Sequence, residues 1–202
     1  MINNFMKISE LTGYKSNELY NKAKEIFDVD VKDKPLYRSL DEWKSIMNDY
    51  GFKHLGTGSY GSAYEHPNYP WVFKIFKGDT SYIKYFNYAK RNQNNPNIPR
   101  IKGSYIRIGN DAYVVRLEKL QEISGEQYKK LEKIINHILY IVDMTKDNQP
   151  LEKEDKQIIQ MYPGLYKIYS DVSNFENSYV DIHSGNIMMR GDVPVIIDPV
   201  VD

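Results

Sequence analysis

Cysteine is absent from the 202 residues, which excludes disulfides, thiolate metal sites and cysteine nucleophiles together. No apolar run approaches the ~18 residues that a membrane span needs. The first residues, Met1-Ile-Asn-Asn-Phe-Met-Lys7, lack the apolar core of a signal peptide. The expectation is a cytoplasmic protein with no membrane partner. Net charge is missing too, since 27 Lys and Arg balance 27 Asp and Glu. No basic stripe points to nucleic acid and no acidic tail to a solvating role. Internal repeats and low-complexity segments are also lacking. The chain is long enough for one large domain or two small lobes with a real core.

The first fifty residues read as helical. Ser16 can cap a helix that carries Leu19, Ala23, Ile26 and Phe27 on one face. Ser39 and Glu42 have the spacing of a capping box, followed by Trp43, Ile46, Met47 and Tyr50 at helical intervals and by Gly51 as a stop. The plain reading is two helices packed on the domain; the functional one is a partner-binding extension.

From Phe52 the periodicity becomes that of strands. Gly56-Thr-Gly58-Ser59-Tyr-Gly61 is a glycine-rich turn between two extended segments, and Trp71–Phe76 is a third strand with one charge, Lys74, inside it. A dinucleotide fingerprint would need a helix after Gly61, and a strand follows instead. A glycine turn between two strands makes a flap whose backbone N–H groups can cover phosphates. An ammonium in an apolar strand is costly unless it meets an anion or turns to solvent. A helix beginning at Asp79 or Thr80 follows, then a hairpin of Tyr105–Ile108 and Ala112–Leu117 about Gly109-Asn110. Ser124 and Gln127 open a long apolar-striped helix. A second helical stretch from about Leu151 is broken at Pro163-Gly164.

Near the C-terminus, Asn186 stands five residues after Asp181, and Asp198 twelve after that. Ile187-Met-Met189 and Val195-Ile-Ile197 flank the turn Gly191-Asp192, a hairpin that would fold Asn186 and Asp198 back beside each other. Two carboxylates and an amide converging on one spot make an oxygen-rich site suited to Mg²⁺ and a base.

In this order, the glycine flap, strand Lys74, Asp181-Ile-His-Ser-Gly-Asn186 and Ile197-Asp198-Pro199 resemble the protein-kinase-like superfamily over residues 52–200. The wording of the loop and the Asp-Pro are most similar to early serine/threonine protein kinases of short-tailed bacteriophages. The resemblance implies an α+β, two-lobed kinase-like fold. It would comprise an N-terminal helical extension over 1–50, a five-stranded N-lobe over 51–119 and a reduced helical C-lobe over 120–202.

It also implies ATP and Mg²⁺ as cofactors, with protein substrates, host proteins among them if the gene is a phage's. The Gly56, Gly58, Ser59 and Gly61 loop would close over the phosphates and Lys74 would hold the α- and β-phosphates. The Glu118–Leu120 segment would receive adenine with backbone groups. Asn186 and Asp198 would ligate the metal, and Asp181 would accept or orient the proton of the attacking hydroxyl.

Three departures qualify the likeness. No Glu occurs between Gly78 and Ser104 to pair with Lys74, and Asp79 is the nearest candidate. His183 stands where protein kinases carry Lys, as in small-molecule kinases; it would contact the γ-phosphate or bond structurally. Few residues follow Asp198, so the activation segment is expected to be absent. The alternatives are a pseudokinase-type binding module acting on a host protein, or a small-molecule kinase of the aminoglycoside or fructosamine type.

Overall fold

The computed structural model describes residues 39–108 and 111–201. The Ser16 helix and the Gly109-Asn110 turn lie outside the described residues. The chain divides into two compact units. One holds the described residues up to Asp79 together with Arg100–Lys119, and the other holds Thr80–Pro99 and Leu120–Asp202.

The first unit begins with α1 (Leu40–Asp49), capped by Ser39. The Ser39 hydroxyl accepts from the Glu42 N–H at 3.2 Å, and the Glu42 carboxylate accepts from the Ser39 N–H at 2.6 Å. This reciprocal pair satisfies two of the donors that a helix start leaves orphaned. The strands β1 (Lys53–Thr57), β2 (Gly61–Glu65), β3 (Trp71–Lys77), β4 (Ile106–Arg107) and β5 (Ala112–Glu118) form one antiparallel sheet in the order β1-β2-β3-β5-β4. The fourth strand is shorter than the expected Tyr105–Ile108.

Register decides which side chains share a face. Tyr64, Phe73 and Arg116 lie in one row across β2, β3 and β5. Tyr64 and Phe73, with Ile75 and Val114, pack against Trp43 and Met47 of α1. Ala63, Lys74 and Val115 form the neighbouring row, which alternation turns to the opposite face. The helix therefore covers one face of the sheet and leaves the lysine on the other.

The second unit opens with α2 (Thr80–Arg91). The sequence places this helix within the 51–119 lobe. Its packing corrects that assignment: Ser81 bonds Ser178, Lys84 donates to the Glu176 carbonyl, and the Tyr85 hydroxyl donates to the Ile196 carbonyl. Contacts across about a hundred residues outweigh its neighbours in sequence.

The long helix α3 (Gly125–Lys146) starts with a second capping box, Ser124 with Gln127, and buries Leu131, Ile135, Ile138, Ile141 and Val142. It packs along α4 (Lys153–Met161) and α5 (Pro163–Val172). The break between α4 and α5 falls at Tyr162, with Pro163 in the first turn of the new helix, where its missing N–H costs nothing. His137 of α3 meets Asp155 of α4 at 2.9 Å, and this contact, followed by the Glu152 N–H, holds the Asp155 carboxyl below the usual range.

The remaining strands are short: β6 (Gln121–Glu122), β7 (Tyr179–Val180), β8 (Ile187–Arg190), β9 (Val193–Ile196) and β10 (Val200–Val201). They pair as β6-β8-β9 and as β7-β10. Among the described residues no helix is long and apolar enough to cross a membrane.

Candidate active site

In the first unit, the flap is built by β1, β2 and the tight loop between them. The Gly58 N–H donates to the Gly61 carbonyl at 2.8 Å, and Lys77 N–H donates to the Tyr60 carbonyl at 2.8 Å. A side-chain relay braces its arms, with His54 Nε2 2.8 Å from Thr57 Oγ1 and Thr57 Oγ1 3.0 Å from Ser62 Oγ. Ser59 and Tyr60 form the exposed tip.

Gly61 is fixed by close approach. A Cβ there would lie 2.8 Å from the Ile75 carbonyl, 3.1 Å from Phe76 Cβ and 3.4 Å from Lys74 Cε. Gly61→Ala should therefore lower stability by about 1–3 kcal/mol through forced strand displacement and shift Lys74 as well. Gly56→Ala, where nothing lies within 4 Å, is the control. Urea unfolding of both variants checks this, and equal midpoints would refute it.

Lys74 is half-buried between Ala63 and Val115, beside the row containing Val72 and Leu117. An ammonium rising from an apolar sheet face suits a phosphate above an aromatic base. Asp79, the acid nearest in sequence, is buried just before α2. At the end of β5 the Glu118 backbone N–H donates to the Arg100 carbonyl at 3.0 Å, and its carboxylate accepts from the Arg100 N–H at 2.6 Å. These groups of Glu118 are thus engaged within the sheet edge. Leu120, the other residue expected at adenine, belongs to the second unit.

The second unit holds the rest. Asp181 follows β7, and a single 3₁₀ turn, Ser184–Asn186, leads into β8. The Asn186 side-chain amide donates to Asp181 Oδ2 at 3.0 Å and to the Asp181 carbonyl at 3.3 Å. That orientation commits the NH₂ group and leaves the amide oxygen for another ligand. His183 Nδ1 accepts from the Gly185 N–H at 3.0 Å, so in the neutral ring the proton sits on Nε2, which lies 3.4 Å from Asp181 Oδ2. The imidazole is thereby oriented toward Asp181.

Asp198 is placed by its neighbours. The Ile197 N–H donates to the Asn186 carbonyl at 2.9 Å, and the Asp181 N–H donates to the Pro199 carbonyl at 2.8 Å. The β7-β10 pair, Val180 with Val200, continues this second link. Residues 197 and 199 are thus bonded to Asn186 and Asp181 respectively, with Asp198 between them and its Oδ1 buried. The β8-β9 hairpin brings these residues together as its turn spacing implied. The β7-β10 pair was not foreseen.

Among the described residues no three His, Cys, Asp or Glu side chains cluster to cage a metal. The amide oxygen of Asn186 and the carboxylate of Asp198 are two hard donors, the number Mg²⁺ takes from a protein when phosphates and water complete its shell. The donor set fits that ion.

The family that the chain matches makes it a phosphotransferase of the kinase-like superfamily. The model of the family described as bacteriophage T7 protein kinase 0.7 matches residues 18–201, and the chain belongs to that family. Among solved structures it is similar to the streptomycin–ATP–APH(2″)-IIa ternary complex, at 16% identity and a TM-score of 0.33, over 83% of this chain and 73% of that one. A search of curated proteins finds no match.

Proposed function

We propose that the chain is an ATP- and Mg²⁺-dependent serine/threonine protein kinase, acting on proteins of a bacterial host's cytoplasm. The observation that carries this reading is the double backbone tie that sets Asp198 between Asn186 and Asp181. It keeps two metal-type oxygens and a base on one short frame, as phosphoryl transfer requires. Mg²⁺ at Asn186 and Asp198 would neutralise charge on the phosphates when bound. Lys74 binds and orients the nucleotide's phosphates, and the flap excludes water above them. Asp181 takes or orients the proton of the acceptor hydroxyl, and His183 faces the Asp181 oxygen that Asn186 also bonds. The family's description as a protein kinase supports protein hydroxyls as acceptors.

The test is transfer of label from γ-labelled ATP with Mg²⁺ into a bacterial lysate, followed by phosphoamino-acid analysis. Phosphoserine or phosphothreonine that disappears with Asp181→Ala supports the proposal. No label above that control on any protein would refute it; turnover on aminoglycosides or sugars instead would reassign the acceptor.

A further inference from the structure

The strand β9 is the outer member of its three-stranded sheet, so one side of its backbone faces away from β8. Three polar groups on that side are bonded by the segment that follows α2 and by α2 itself. Asn97 Nδ2 donates to the Pro194 carbonyl at 2.7 Å, and the Asn97 carbonyl accepts from the Ile196 N–H at 2.9 Å. The Tyr85 hydroxyl donates to the Ile196 carbonyl. Pro194 brings no N–H to this edge, so nothing there is left over.

β8 grips the same segment, because Arg190 donates to the Pro96 carbonyl at 2.7 Å and to the Ile98 carbonyl at 2.9 Å. The Tyr85 bond is buried and the Asn97 bond partly so, with Tyr85 only 1% and Asn97 only 9% exposed. A buried hydrogen bond tolerates little displacement, since breaking it strands both partners.

Two residues beyond Ile196 the chain reaches Asp198. The intervening Ile197 is itself tied to Asn186. The position of β9 along its own length therefore sets where the carboxylate falls, and the outer edge fixes that position.

We infer that Asn97, supported by Tyr85, is a positioning residue for the carboxylate of Asp198. The inference rests on the metal role proposed above for Asp198. The Asn97 amide is itself held by a close approach. A Cβ on Gly164 would lie 2.2 Å from Asn97 Oδ1 and 2.6 Å from Asn95 Oδ1, while Asn95 Nδ2 donates to the Gly164 carbonyl at 2.9 Å. Gly164→Ala would displace the Asn97 amide without altering its chemistry.

The experiment measures the Mg²⁺ concentration for half-maximal thermal shift in the presence of a non-hydrolysable ATP analogue, and for half-maximal turnover where label transfer is observed. The variants are Asn97→Ala, Gly164→Ala and Tyr85→Phe, with Asp198→Asn as reference. Asn97→Ala and Gly164→Ala should raise the Mg²⁺ midpoint roughly tenfold, as loss of a ligand's supporting contact does. At saturating Mg²⁺ the KM for ATP should stay near wild type and kcat should recover. Tyr85→Phe loses one hydroxyl and opens no cavity, so it remains readable if the others fail to fold; its midpoint should rise by a smaller factor.

A role confined to folding would lower the melting temperature and leave the midpoint alone. Wild-type midpoints in every folded variant, beside an Asp198→Asn that has lost its Mg²⁺ response, would overturn the positioning role and leave the metal reading intact. A wild-type Mg²⁺ response in Asp198→Asn would overturn the metal reading and the inference with it.

Discussion

Asp181→Asn should lower kcat by about 10²–10⁴-fold, the range that a positioned acid or base contributes, while the affinity for ATP with Mg²⁺ stays close to wild type. The substitution is chosen because it leaves the frame in place. The new amide keeps one oxygen to accept from the Asn186 side chain, as Asp181 Oδ2 does at 3.0 Å. Both backbone ties of residue 181, its N–H to Pro199 and its carbonyl from Asn186, are unaffected. What disappears is the negative charge that can take a proton, while the retained oxygen still faces His183 Nε2. Steady-state kinetics paired with a nucleotide thermal shift separate the two effects. A variant that binds nucleotide as well as wild type and turns over as fast would remove Asp181 from the chemistry. Equal loss of binding and turnover would instead make it a residue of the frame.

The sequence is legible where the physics is local. Both capping boxes, Ser39 with Glu42 and Ser124 with Gln127, are three-residue exchanges, and both form as read. The break before Pro163 follows from a ring that cannot continue the preceding helix. The β8-β9 hairpin follows from two apolar runs about Gly191-Asp192.

Asn97 is the opposite case. In sequence, Asn92–Pro99 is only a helix stop rich in Asn and Pro. Its bond to Pro194 spans 97 residues and Arg190's bond to Pro96 spans 94, separations at which no periodicity survives. The two-residue pair of β7 with β10 is too short to show a strand pattern of its own.

Arg116 reads in sequence only as the single charge of the strand Ala112–Leu117. The register instead puts it in the row with Tyr64 and Phe73, where burial pulls the guanidinium down to about 10. Alternation alone cannot tell a buried arginine from an exposed one, because the face is set by strands β2 and β3.

Trp43→Ala should cost the first unit about 3–5 kcal/mol, the usual loss when a buried aromatic is truncated and its cavity does not close. Trp43 is 1% exposed and Met47 0%. Both sit against Phe52, Tyr64, Phe73, Ile75 and Val114, which come from the sheet and from the turn leading into it. Set against a typical total of about 5–15 kcal/mol, that loss removes a large share of what holds the sheet.

Hydrogen exchange read on peptides covering 53–77 should quicken by roughly two to three decades, since each factor of ten corresponds to about 1.4 kcal/mol of opening free energy. Tyr140→Ala is the control, because Tyr140 is 53% exposed and its removal should stay within about 0.5 kcal/mol of neutral. The comparison also decides between the two sequence readings of the helical segment before Gly51. If Trp43→Ala costs several kcal/mol, α1 is part of the sheet's core, and a partner could take it only by dismantling the face opposite Lys74. If it costs no more than Tyr140→Ala, α1 is an appendage, and the partner-binding reading prevails because releasing the helix leaves the sheet intact.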